Sequence, residues 1–189
     1  MFKYLYLTEL EWADSWVNGG DIPISLASTY LHETRGGVFT PDENLIHDSQ
    51  VDIKSLSPAI SIKNVKGFSM TNCYINGSRV PDIINASYYE EDGLILSFCN
   101  NLNESIALKL GKKCCVKISN LRKLRKIIDK QVGVKGIMGE CKYTEDHNRS
   151  HFLKSNEDSW QHEYRMFWRH TENQVVTIPK GFGKLVTSY

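Results

Sequence analysis

The chain has 189 residues, 41% hydrophobic and 24% charged, with 23 basic and 22 acidic side chains for a formal net charge of +1. These values exclude a largely disordered or fibrous chain and predict a single domain spanning residues 1–189 around one core. The near-neutral balance also means that global charge does not drive the molecule onto nucleic acid or an acidic membrane, so such binding has to come from a local patch.

Residues 1–9 reach Glu9 before an apolar run could form the core of a signal peptide, and no later stretch is long and apolar enough to span a bilayer. The expected location is therefore cytoplasmic, with no membrane partner. Residues 3–7 read as a strand, and Thr8 with Glu11 spells a T-x-x-E capping box that would start a helix at Thr8. Trp12, Trp16 and Val17 recur at helical spacing, and Gly19-Gly20 ends the run because glycine tolerates a left-handed cap. Ile22 to Leu26 reads as the next strand, which predicts a cleft where the first strand starts and the second ends.

A polar loop through Gly36-Gly37 and Pro41-Asp42 follows, then apolar, β-branched or aromatic runs at 59–65, 68–76 and 93–99 that read as sheet. Further strands are expected at 114–118, 134–142, 163–169 and 174–178. Between them Asn120 would cap a helix over 121–130, with Leu121, Leu124, Ile127 and Ile128 as its apolar stripe. The five cysteines, at 73, 99, 114, 115 and 141, include no C-x-x-C pair and read as free, mostly buried thiols. Strands predominate, so the expected fold class is mixed α+β.

The most informative stretch is residues 160–168. Read as one strand, it places Trp160, His162, Tyr164, Met166 and Trp168 on a core face and Gln161, Glu163 and Arg165 on the other. The ordinary account is a solvated face with a Glu–Arg pair; the functional account is an amide and a carboxylate set side by side for chemistry. The first strand repeats the pattern, with Tyr4, Tyr6 and Thr8 on one side and Leu5 and Leu7 on the other. Residues 25–37 are rich in hydroxyls, including Ser28 and Tyr30, and end with Arg35 on a glycine turn suited to a phosphate. His147 and His151 have the spacing of two metal ligands but lie in a polar loop without an H-E-x-x-H pattern, so no zinc site is expected. The run from Lys112 to Lys130 concentrates positive charge, with Arg122, Lys123, Arg125 and Lys126 on the helix. It reads either as a solvated face or as a nucleic-acid contact.

Taken in order, these segments resemble the ADP-ribosyltransferase fold, and within it bacterial toxins of phage-defence, or abortive-infection, systems. The opening strand, helix and strand resemble that family's nicotinamide-binding start, and Gln161-His162-Glu163 resembles its closing Q-x-E. Leu94 to Cys99, Cys115 to Ile118 and Lys154 to Arg165 are similar to a bacterial abortive-infection domain. The family's Arg or His of strand one is absent, with Tyr6 and Lys3 as the available substitutes. No S-T-S triplet is present either; Ser28-Thr29-Tyr30 and Ser97-Phe98-Cys99 are the two segments available for its role.

The resemblance implies NAD as co-substrate, Glu163 as catalytic carboxylate and Gln161 as the residue orienting the acceptor. It further implies NAD contacts from Tyr6, Thr8, Ser28, Tyr30, Arg35 and Ser97. The implied acceptor is RNA, messenger RNA in toxin–antitoxin–chaperone systems, guided by Arg122, Lys123, Arg125 and Lys126, and an antitoxin or chaperone would restrain the toxin. The chemistry suits a carboxylate: cleavage of the nicotinamide glycosidic bond leaves an oxocarbenium-like ribose, which a fixed negative charge stabilises. The contrasting expectation is a non-enzymatic RNA-binding or regulatory module built on the helix 121–130.

Overall fold

The computed structural model describes residues 2–31, 40–57 and 59–189. The N-terminal part contains β1 (Phe2–Leu7), α1 (Ala13–Asn18), β2 (Gly20–Leu26) and β3 (Leu45–Asp48). There follow β4 (Val65–Met70), β5 (Tyr74–Ile75), β6 (Ser78–Arg79), β7 (Ile83–Glu90) and β8 (Leu94–Cys99). Next come α2 (Glu104–Lys109), β9 (Cys114–Ser119), α3 (Leu121–Val132), β10 (Ile137–Glu140), β11 (Lys142–Thr144) and β12 (Leu153–Ser155). The chain closes with β13 (Glu163–Trp168), β14 (Gln174–Ile178) and β15 (Gly183–Ser188). The class is mixed α+β, as expected.

Eight strands form the main sheet, in the order β10-β13-β8-β1-β9-β15, with β2 joined to β8 and β14 to β2. β8 is the branch point. Its end pairs with β1 at Tyr4↔Cys99, and its start pairs with β2 at Ser25↔Ile95 and Leu26↔Leu94. Strands β1 and β2 therefore leave β8 from opposite ends and diverge, with α1 bridging them. Gly19 makes this passage possible: its φ is +86°, and a Cβ there would lie 2.6 Å from the Lys180 backbone nitrogen.

Leu5, Leu7, Leu96, Phe98, Tyr164, Met166 and Trp168 pack with Trp16 of α1 and with Leu121, Leu124 and Ile128 of α3. Each large side chain buried there contributes about 1.5–3 kcal/mol. The opposite face carries Tyr6, Cys99 and Cys115 against Ile106 and Ala107 of α2. Beside the main sheet, β3-β7-β4 form a three-stranded sheet with its own cluster of Ile53, Leu56, Ile83 and Ala86. β11 and β12 form a separate parallel pair. All five cysteines are free thiols, four of them buried. No helix among the described residues is long and apolar enough to cross a membrane.

Several local expectations need correction. No capping box forms: a 3-10 turn at Leu10–Trp12 precedes α1, which begins at Ala13. Thr8 instead accepts from Lys112 Nζ at 2.9 Å, and Glu9 pairs with Lys113 Nζ at 2.6 Å, so both side chains are drawn toward the loop before β9. Asn120 makes no side-chain cap; it adopts a left-handed conformation with φ +56°, and α3 runs on to Val132. The strand expected over 59–65 begins only at Val65. β3, β6, β7, β11, β12, β15 and α2 were not anticipated. Most consequential is the segment 160–168: residues Asn156–Gln161 form a 3-10 turn, His162 is left-handed at φ +44°, and the strand starts at Glu163. Gln161 is thus not the strand neighbour of Glu163 on the same face.

Candidate functional site

Glu163 pairs with Cys99 of β8 and Arg165 with Ser97, so these four side chains share the sheet face that also carries Tyr4 and Tyr6. That face is not solvated. Glu163 is 5% exposed and Arg165 2%, so a charged strand face lies inside the protein, where each ion needs a partner. Arg165 Nε donates to Glu163 Oε1 at 2.6 Å, its Nη2 meets Glu43 Oε1 at 2.5 Å, and its Nη1 donates to the His151 carbonyl at 3.1 Å. On the other side of Glu163, Lys154 Nζ donates to Oε2 at 3.1 Å. Ser97, opposite Arg165 on β8, shares this face and helps to lower the Glu163 pKa. The Glu163 backbone N–H donates to Tyr143 Oη at 2.9 Å. Two carboxylates, Glu43 and Glu163, thus face two cations, Lys154 and Arg165, and the buried quartet is neutral overall.

Electrostatics follow from this packing. Burial alone would raise the Glu163 pKa, but Arg165 and Lys154 outweigh it and hold the carboxyl at about 2. Glu163 is ionised at neutral pH. Burial, reinforced by the Glu163 charge, pushes the thiols of Cys99 and Cys141 up to about 12, which favours their protonated form.

The divergence of β1 and β2 opens a cleft of about 610 Å³ whose lining includes Ser97, Gln161, Glu163 and Arg165. Tyr6, Thr8 and Tyr30 also border it, along with Trp12 from the turn before α1. Of the residues expected around NAD, Tyr6, Thr8, Tyr30 and Ser97 are therefore gathered at one cleft with Glu163 and Gln161.

Their chemistry differs from the expectation in four places. The Tyr6 hydroxyl donates to the Asn101 carbonyl at 2.9 Å and accepts from the Asn103 N–H at 2.7 Å, so it anchors the loop before α2. Gln161 accepts from Lys154 at 3.0 Å and donates to Asp158 at 2.9 Å, engaging both ends of its amide within the protein. Ser28 is not part of the cleft lining; its N–H donates to Asp92 Oδ1 at 3.0 Å. Lys3, a substitute for the strand-one Arg or His, faces the other side of the sheet, 4.6 Å from the Tyr164 ring centroid. Arg35 and its glycine turn lie outside the described residues.

The basic helix also lies elsewhere. α3 packs on the sheet face opposite Glu163, and none of Arg122, Lys123, Arg125 and Lys126 lines the cleft. Arg122, Lys123 and Lys126 are exposed, whereas Arg125 is pinned, donating to the Gly136 carbonyl at 3.0 Å and lying 3.5 Å from Asp129. His147 contacts Ser49 and stands 4.7 Å from the His47 ring, whereas His151 stacks on Phe167.

Sequence reasoning missed Glu43, Tyr143 and Asp158 and gave Lys154 no role. Glu43 and Tyr143 are remote in sequence from Glu163 and carry no local pattern. Lys154 follows the apolar pair Phe152-Leu153 but leads into the polar Ser155-Asn156-Glu157-Asp158, so nothing local marked it as buried.

Fold and site together define a mixed α+β protein whose cleft ends on a buried, ionised carboxylate. No family model matches the chain, and no curated protein or solved structure does either.

Proposed function

We propose that the chain is an NAD-dependent ADP-ribosyltransferase, acting as a toxin on RNA, with Glu163 as its catalytic carboxylate. The observation that carries this reading is the placement of an ionised glutamate on the lining of a cleft formed where two strands part. A volume of about 610 Å³ suits a small-molecule site. An ionised carboxylate has about four lone-pair sites. Arg165 and Lys154 take two of those on Glu163, which leaves room for the ribose 2′-hydroxyl. As the nicotinamide bond breaks, the carboxylate opposes the positive charge developing on the ribose. Tyr30 and Trp12, both bordering the cleft, offer ring faces for the nicotinamide. RNA as acceptor, and an antitoxin or chaperone that restrains the protein, are carried by the family resemblance. Since α3 lies on the far face, an RNA guided by it has to reach around the sheet.

The test is nicotinamide release from NAD by wild type and Glu163→Gln, followed by incubation with labelled NAD and separate pools of RNA, DNA and protein. Release by wild type, loss in the folded variant and label on RNA are expected. RNA binding through Arg122, Lys123 and Lys126 without nicotinamide release would favour the non-enzymatic module instead.

A further inference from the structure

We propose that Lys154 is a positioning residue for Glu163, acting through a bracket that the β11–β12 ribbon builds around that carboxylate; its catalytic consequence rests on the transferase reading above. In the parallel ribbon Tyr143 stands opposite Lys154. Tyr143 takes the backbone N–H of Glu163, and Lys154 takes its carboxylate. One pair of ribbon residues therefore holds both ends of the glutamate. Lys154 Nζ has two more oxygen partners, Gln161 Oε1 at 3.0 Å and Asp158 Oδ2 at 3.3 Å. Both come from the turn Asn156–Gln161, which leads directly into β13 and begins with Ser155 accepting from the Glu157 N–H at 3.3 Å. A buried ammonium has three hydrogens to donate, and here three oxygens surround it. The lysine thus ties the turn to the strand and fixes the rotamer of Glu163 toward the cleft.

The charges fit this role. Lys154 is 5% exposed, and burial alone would lower its pKa. Glu163, Glu43 and Asp158 outweigh both burial and the opposing charge of Arg165, which keeps the ammonium protonated. The groups facing Glu163 are Arg165, Lys154, Ser97 and Tyr143, with the protonated thiols of Cys99 and Cys141 behind it. Arg165 is shared with Glu43, so Lys154 is the cation whose loss Glu163 feels without rearranging the far side of the quartet.

The experiment is a pH titration by carbon NMR of protein labelled at glutamate side-chain carboxyls, with the Glu163 signal assigned by its absence in Glu163→Gln. Wild type keeps that signal in its ionised position throughout the folded range. In Lys154→Met the midpoint rises by about 1–3 pH units, as expected for removing an adjacent opposite charge, and protonation appears before the fold is lost. Lys154→Gln retains a donor but drops the charge and gives the same rise, so it answers the question if the methionine variant fails to fold. Lys154→Arg restores the low midpoint. An unchanged Glu163 signal in whichever uncharged variant folds overturns the proposal. The same variants are assayed for nicotinamide release, whose acid limb should move up with the NMR midpoint. If wild type releases no nicotinamide, the transferase reading fails while the NMR result still decides whether Lys154 governs Glu163.

Discussion

Charged side chains on a strand ordinarily face water, yet Glu163 and Arg165 are enclosed with Glu43 and Lys154 in a neutral quartet. Removing one member leaves an uncompensated buried charge, which typically costs about 3–5 kcal/mol. Glu163→Gln is therefore expected to lower stability by that order as well as to abolish activity. Its assay needs a temperature at which a circular dichroism melt shows it folded. Pairing Glu163→Gln with Lys154→Met restores the charge balance, so the double variant should lose clearly less stability than the sum of the singles. Denaturant melts of the cycle measure this; simple additivity would mean that the two residues do not interact. Arg125 illustrates the same misjudgement in a helix, a cation expected in solvent but packed against Asp129 and Gly136. Replacing Arg125 with Gln should lower the melting temperature, whereas Arg122→Gln, on the exposed side, should leave it unchanged.

At the scale of elements, β1, β2, β8, β9, α3 and β13 could be placed from periodicity and turn residues. A cleft beside β1 and β2 was expected where the first starts and the second ends; those ends are instead held on β8, and the cleft opens where the two strands leave it. What stayed hidden was pairing. Nothing local in Leu94 to Cys99 says that its two ends hold different strands, and that branch is what opens the cleft. Helix and strand period reports which face is apolar. It does not report that a polar face is buried beneath a ribbon such as β11–β12, whose residues meet Glu163 only in three dimensions. The loop that supplies His151 shows the same limit. This ring is 4% exposed and stacks on Phe167 at 3.7 Å, with its Nε2 3.3 Å from Glu91 but outside hydrogen-bond geometry.

For the whole molecule these buried groups predict acid sensitivity. Burial holds the His151 pKa at about 4, below the ordinary 6.5, despite Glu91. The unfolded chain therefore binds the proton more readily, and the stability this represents is full above pH 6.5 and lost as pH falls toward 4, on the order of 3 kcal/mol. Glu163, depressed from 4.5 to about 2, adds a second loss as pH falls through that lower window. His151→Phe should flatten the upper loss while keeping the stack on Phe167; melts between pH 7 and 4 test this, and an unchanged slope would remove His151 as its source. On the toxin reading, expression of wild type without a restraining partner should slow bacterial growth, and Glu163→Gln should not. Equal inhibition by both would count against an enzymatic toxin. The most direct measurement of the central claim is nicotinamide release from NAD by purified wild type and by folded Glu163→Gln, side by side. The account predicts release by the first and none above background by the second, and equal rates, or none from wild type with or without RNA, would contradict it.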